Sequence, residues 1–171
     1  SRYIPRNARG NILHDQIKYW GQREIHYHQF LAAGENTINY QLGKELYLTI
    51  LEYGVYDSDK WLERYIECML DGGWHKDTYL EEYHRAFFDN YAKGLAPIDC
   101  GIDDLHIGGL SHVPCLLSGL TEIGVVDLDE QLLQVEKHVR LTHRNQHVSD
   151  AAAAMTHILY SLREGLDLRK A

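Results

Sequence analysis

The chain has 171 residues, of which 44% are hydrophobic and 25% are charged, and this balance is typical of one folded domain. The formal net charge is −8 and no block of lysine and arginine offsets it, which argues against a nucleic-acid partner. No segment approaches the ~18 consecutive apolar residues of a membrane-spanning helix, so we expect no membrane partner.

The three cysteines, Cys68, Cys100 and Cys115, are odd in number and show no Cys-x-x-Cys spacing. This pattern is unlike a disulfide framework and favours free thiols in a reducing compartment. The start of the chain also carries no secretory signal pattern. We therefore expect an intracellular, cytoplasmic protein.

The N-terminal segment, residues 1–26, is predicted to be irregular because Pro5, Gly10 and Gly21 interrupt it. A helical domain is expected to follow over residues 27–171. No stretch of the chain shows sustained alternation of apolar and polar residues, so no strand is predicted.

The first clear helix is predicted over residues 37–53. Ile38, Leu42 and Leu46 recur there at helical spacing, as expected of a face that packs on a core. Gly54 follows directly and is suited to the left-handed position that ends a helix.

The next two helices are predicted from residues that make good N-caps. Asp57 or Ser58 is expected to open the second helix. Asp77 or Thr78 is expected to open the third, where Thr78-x-x-Glu81 has the spacing of a capping box.

Three further helices complete the predicted fold. A short one is expected over residues 110–119, another opens at Asp129, and Ser149 is expected to cap the last, which is rich in alanine. The chain is therefore predicted to be all-α, with six or so helices joined by polar loops.

Loops that precede helices are the first places to look for chemistry, because unpaired N–H groups and the positive end of the helix dipole lie there. Three such loops, over residues 34–37, 75–78 and 99–106, carry carboxylate, amide or hydroxyl oxygens of the kind that Mg²⁺ binds. The same residues can equally be helix caps or solvated side chains. His143, at another junction of helix and loop, can likewise be a dipole partner or a ligand donor.

Three stretches together resemble the ADP-ribosylglycohydrolase family, whose relatives include the J1-crystallins of jellyfish lenses. They read YHQFLAAGENTINYQLGKEL, DDLHIGGLSHVPCLL and VRLTHRNQHVSDAAAAMTHIL. The first is similar to the segment in which two acids and a threonine open a long helix. The second resembles the small-residue turn before a proline-led helix, and the third resembles a Thr-His loop before an alanine-rich helix. The resemblance covers residues 27–162.

This resemblance implies an all-α, orthogonal and irregular multi-helix bundle of the ADP-ribosylglycohydrolase type. Active members bind two Mg²⁺ ions and hydrolyse the glycosidic bond between ADP-ribose and a protein side chain or another acceptor. The implied function is therefore a Mg²⁺-dependent hydrolase whose partner is ADP-ribose or an ADP-ribosylated protein. An inactive structural or assembly protein on the same scaffold, like the crystallins, is the alternative. A helical interaction domain with a coincidental resemblance is a third hypothesis.

The family's acid-acid-threonine metal motif falls on Glu35, Asn36 and Thr37, and the resemblance implies that these residues hold the metal. Asn36 stands where an aspartate is usual. It offers a neutral carbonyl oxygen, and losing that charge should weaken binding of a divalent cation. Glu35 is also expected to share in the acid–base work.

Catalytic and substrate-binding positions are implied in the second and third stretches. Asp103 and Asp104 fall where the family has a functional aspartate. Gly108 and Gly109 form the turn whose backbone could approach a phosphate, and His143 belongs to the Thr-His pair, which we expect to contact substrate.

Two departures from the family concern the ends of the chain. The family's opening helix should precede residue 27, and its second metal motif, Asp-x-Asp-Thr, should follow the alanine-rich helix. Neither is present in the sequence. We therefore expect a bundle that is incomplete at both ends, a fragment that another chain or a missing segment would complete. The alternative is a reduced relative without a complete metal site.

Overall fold

A computed structural model describes residues 3–167 and 169. Within these residues no strand is formed, and the one bridge between extended segments joins Ile102 and His143. The all-α prediction is confirmed. The helices are α1 (Ile38–Tyr53), α2 (Ser58–Leu70), α3 (Glu82–Ala92), α4 (Val113–Glu122), α5 (Leu128–Val139) and α6 (Gln146–Arg163).

The predictions for α1 and α2 are confirmed. Thr37 is the N-cap residue of α1, and Gly54 ends the helix with a φ of 66°. Asp57 caps α2, because its carboxylate accepts hydrogen bonds from the N–H groups of Asp59 and Lys60. In both helices the residues that end or begin the element interact with their own sequence neighbours.

The predicted start of α3 at Asp77 or Thr78 is wrong, since the helix begins at Glu82. Thr78 donates its backbone N–H to the carbonyl of Tyr27 instead of entering a helix. Asp77 uses its carboxylate on another element, described below. Tertiary contacts therefore hold this segment extended and override the local capping pattern.

The starts of the last three helices also differ from the predictions. A 3₁₀ turn at Ile107–Leu110 precedes α4, which begins at Val113. Asp127, two residues before the expected Asp129, caps α5. Asn145 caps α6, so that Ser149 lies inside the helix and is buried.

The core is built around α1, which packs against α4 and α2, while α5 packs against α6. Leu42, Leu46 and Leu116 are fully buried in it. The N-terminal segment contains 3₁₀ turns at Ala8–Gly10 and His14–Tyr19. It contacts α3 and contributes to the same core. None of the helices in the part of the chain that the structure describes is long and apolar enough to cross a membrane.

Candidate functional site

The start of α1 opens on a cavity of about 330 Å³, which we call the α1 cleft. It collects residues from four separate segments of the chain. A helix start exposes N–H groups that have no partner within the helix, so a polar cavity at this position suits an anionic or hydroxyl-rich ligand. Its lining comprises Tyr27, His28, Thr37, Ile38, Asn39, Tyr79, Glu81 and His106.

One buried carboxylate organises the inner edge of the cleft. Asp77 is 1% exposed, and its Oδ2 accepts the backbone N–H of Ile38 at 2.7 Å. Its Oδ1 accepts a hydrogen bond from Nδ1 of His28 at 2.6 Å. Asp77 thus supplies the side-chain cap that Thr37 does not provide for α1, and it fixes the ring of a histidine that lines the cleft.

A second carboxylate, Glu81, faces the cleft from the start of α3. Its Oε1 accepts a hydrogen bond from Nδ2 of Asn39 at 2.9 Å, and Oδ1 of Asn39 accepts one from the hydroxyl of Tyr83 at 3.1 Å. Behind them, the hydroxyl of Tyr65 lies 2.6 Å from Nδ1 of His84. Burial lowers the pKa of His84 well below its ordinary value, so this ring is a neutral member of the network.

The glycine turn and His143 are brought together directly behind the cleft. A Cβ on Gly109 would lie 2.9 Å from the ring of His143, so the close approach requires glycine. The ring of Tyr83 packs on His143 with centroids 4.3 Å apart. Burial lowers the pKa of His143 to about 4, and the opposing effect of the nearby Asp104 charge is smaller.

His106 connects this turn to the cleft that it lines. Its Nδ1 accepts the N–H of Gly108 at 3.0 Å, and its own N–H is donated to Oδ1 of Asp104 at 2.8 Å. The other oxygen of Asp104, Oδ2, is buried and has no hydrogen-bond partner among the described residues. Asp104, Gly108, Gly109 and His143 therefore form one cluster against the α1 cleft.

Glu35 and Asn36 face a different cavity, of about 460 Å³, whereas Thr37 lines the α1 cleft. The carboxylate of Glu35 pairs with Lys76 and accepts the N–H of Ala32. The hydrogen bond from Lys76, reinforced by that from Ala32, lowers the pKa of Glu35.

Asp103 is also held apart from the α1 cleft. Its Oδ1 accepts a hydrogen bond from Asn145 at 2.6 Å in an exposed position. Asp103 is not among the residues that line the cleft, and its hydrogen bond to Asn145 ties it to the segment that follows His143.

The arrangement does not fit a Mg²⁺ ion held jointly by Glu35, Asn36 and Thr37. Two of these residues face one cavity and the third faces another. Across residues 3–167 and 169, no group of three or more histidine, cysteine, aspartate or glutamate side chains is arranged to hold a metal ion.

Known proteins give no match. Comparison of the chain with protein-family models, with curated proteins and with solved structures finds no significant similarity.

The sequence reasoning did not assign His28, Asp77 and Glu81 to the site. Asp77 and Glu81 carried a signal, because both were singled out as capping residues and the loop over residues 75–78 was one of three rich in polar groups. That signal indicated the wrong helix for Asp77. No sequence pattern indicated His28, since only the fold places it against Asp77.

Proposed function

We propose that this chain is an ADP-ribosylglycohydrolase-like protein, which binds ADP-ribose or the ADP-ribosyl group of a modified protein in the α1 cleft and hydrolyses its glycosidic bond. The observation that carries this proposal is spatial. His106 of the second resembling stretch lines the α1 cleft with Thr37 and Asn39 of the first, and Gly109 contacts His143 of the third. Three segments that are far apart in sequence therefore lie close together, and this proximity supports a shared binding site.

The chemistry of the cleft supports an ADP-ribose-type ligand. Tyr27 and Tyr79 lie on one wall with ring centroids 6.1 Å apart, and they offer aromatic faces for a base or sugar. Glu81, at the start of α3, and Asn39, in the first turn of α1, offer hydrogen bonds to ribose hydroxyls.

A calorimetric titration of ADP-ribose into the folded chain, with and without Mg²⁺, tests this proposal. We expect binding heat for the wild type, and we expect Asn39→Ala to weaken binding at least tenfold because it removes a cleft donor and releases Glu81. Glu35→Ala should leave the affinity without Mg²⁺ within twofold of the wild type, because Glu35 faces the other cavity. A folded chain that gives no heat in either condition overturns the proposal.

The alternative, an inactive structural or assembly protein on the same scaffold, is favoured by one observation. Glu35, where active relatives hold a metal, is engaged here by Lys76 and the backbone of Ala32. On this alternative, ADP-ribose and Mg²⁺ leave the thermal unfolding midpoint unchanged, and sedimentation shows a stable oligomer. A midpoint raised by ADP-ribose would decide against it.

A further inference from the structure

The pairing of His28 with a buried carboxylate stands out because the histidine lines the cleft while the carboxylate lies beneath it. We propose that His28, oriented by Asp77, is the general base that activates a water molecule in the α1 cleft. This inference rests on the proposed function, since it names the residues that would carry out hydrolysis in the same cleft.

The geometry determines which nitrogen of His28 can act. Asp77 is an acceptor, so Nδ1 of His28 must carry the proton in the 2.6 Å hydrogen bond between them. The other nitrogen, Nε2, lies on the far side of the ring and has no hydrogen bond to any residue that the structure describes. In the neutral ring, this hydrogen bond selects the tautomer whose Nε2 carries a lone pair facing away from Asp77.

Asp77 is itself anchored, which makes it a positioning residue rather than a second base. Its Oδ2 is held by the N–H of Ile38 at the start of α1, and the side chain is 1% exposed. Because both carboxylate oxygens are engaged and the helix dipole favours negative charge at this end, the group can stabilise the imidazolium that forms on His28.

Capping α1 does not by itself explain this arrangement. A cap requires a single oxygen on the N–H of Ile38, and Asp77 provides it through Oδ2 alone. The second oxygen is directed to a side chain that is one-third exposed and that borders the cavity. A base with an orienting carboxylate is the arrangement that general-base catalysis requires.

Glu81 contributes a negative charge to the same cleft. Its side chain is 23% exposed and is held by Asn39, so its charge has a defined position beside the cavity. Cleavage of a glycosidic bond passes through a transition state with positive charge on the sugar ring. A carboxylate at this place stabilises that charge electrostatically.

In the proposed step, a water molecule displaces the acceptor from the ribose. The water oxygen bonds to C1 of the ribose while the bond from C1 to the acceptor atom breaks, and the electron pair of that bond leaves with the acceptor. Nε2 of His28 takes the proton that the water loses and then returns it to the acceptor atom. His28 and Asp77 therefore end the cycle in the state in which they began.

Two variants are designed to preserve the fold while removing the proposed base or its orientation. His28→Asn retains a donor near the position of Nδ1 and so keeps a hydrogen bond to Asp77, but it lacks the base. Asp77→Asn retains an oxygen for the N–H of Ile38 while its amide favours the wrong tautomer of His28. His147→Asn, at an exposed position on α6, is the matched control.

The experiment measures ADP-ribose release from peptides modified on arginine, serine or glutamate by the full chain, with calorimetric binding of ADP-ribose in parallel. We expect kcat to fall about 10²- to 10⁴-fold in both variants, with KM and ADP-ribose affinity within threefold of the wild type. His147→Asn should match the wild type.

Each other outcome counts against the inference. If His28→Asn keeps kcat within tenfold of the wild type, His28 is not the base, although the proposed function stands. If the wild type binds ADP-ribose but releases none from the three peptides, the catalytic assignment fails and the binding site remains. If the folded wild type does not bind ADP-ribose, the proposed function and the roles proposed for His28 and Asp77 fail together.

Discussion

The carboxylate of Asp77 caps α1, a helix that begins far from Asp77 in the sequence. An aspartate before an amphipathic pattern predicts an N-cap, and Asp77 is one. However, the N–H group it accepts belongs to Ile38, which lies 39 residues away in the sequence. Capping propensity is a property of the residue, whereas the choice of partner is a property of the fold.

Replacing Asp77 with alanine tests this cap. We expect Asp77→Ala to lower the free energy of unfolding by about 1–3 kcal/mol, because it removes the cap of α1 and leaves the N–H of Ile38 buried without a partner. Asp77→Asn should cost less, since its amide oxygen can still accept. Urea unfolding at pH 7 measures both.

The matched control is Asp103→Ala, which removes an exposed carboxylate bonded to Asn145. Its expected effect is within about 0.5 kcal/mol of zero, as for most surface substitutions. Equal losses in Asp77→Ala and Asp103→Ala would show that the buried cap contributes no more than a surface hydrogen bond.

At the scale of elements, two close approaches of backbone position the helices and the site. Gly119 of α4 meets Ile50 of α1, where an added Cβ would lie 2.9 Å from the Ile50 side chain. A Cβ added at Gly101 would lie too close to the backbone carbonyl oxygen of Leu141 for any side chain to be accommodated. Next to it, the N–H of Ile102 is donated to the carbonyl of Thr142 at 3.1 Å.

Alanine at these two glycines should have unequal effects. At Gly119 the obstacle is a side chain that can move, so the overpacking loss of about 1–3 kcal/mol is partly offset by the better helix propensity of alanine. At Gly101 the obstacle is backbone, so we expect the larger loss together with a shift of the segment that carries His143. Thermal unfolding gives the order, and Ser118→Ala, exposed on α4, is the control. The reverse order would contradict this account.

The first residues of the helices show which elements can be predicted from the sequence. α1 and α2 were predicted within a residue, because their apolar spacing and their terminal residues Gly54 and Asp57 act locally. The start of α3 was predicted wrongly, because the backbone N–H of Thr78 is bonded to the carbonyl of Tyr27. α6 was predicted as a helix but its start was wrong, since Ser149 and Asn145 are both good N-caps and only packing decides that Ser149 is buried inside the helix.

At the scale of the whole molecule, several histidines are buried and neutral, whereas others, such as His147, are exposed. His112 and His138 lie with Nδ1 and Nε2 3.3 Å apart, and the hydroxyl of Tyr56 lies 3.0 Å from the other nitrogen of His138. Burial lowers the pKa of His112 to about 4 and that of His138 well below its ordinary value. His143 behaves as His112 does.

These histidines make stability depend on pH in a defined direction. The unfolded chain binds their protons near pH 6.5, whereas the folded chain binds those of His112 and His143 only near pH 4. Stability from this source is therefore complete above about pH 6.5 and is lost as the pH falls toward 4. We expect a loss of about 2 kcal/mol for each of the two residues at pH 5, measured by urea unfolding at pH 7 and pH 5.

A variant isolates one contribution to this slope. His112→Gln removes one titrating group and should flatten the dependence of the free energy of unfolding on pH by up to about 1.4 kcal/mol per pH unit between pH 4 and 6.5. His147→Gln, which changes an exposed histidine, should leave the slope as it is. An unchanged slope in His112→Gln would mean that this ring is not the group that resists protonation.

The candidate site lay largely beyond sequence reasoning, because it forms by convergence of distant segments. The resemblance drew attention to Thr37, Gly109 and His143, and the fold does bring their neighbourhoods together. It could not indicate that Glu35 turns to Lys76. Nor could spacing have placed His28 beside a carboxylate far along the chain, since that contact requires the whole bundle.

Because Asp77 bonds both His28 and the amide of Ile38, that backbone amide should respond when a ligand occupies the cleft. A ligand that draws His28 away from Oδ1 must redistribute charge on Oδ2, which holds the amide of Ile38. Amide hydrogen exchange at Ile38 should therefore change with cleft occupancy, while exchange in the middle of α1 stays constant. One backbone proton in the first turn of a central helix would then report chemistry that takes place at the surface.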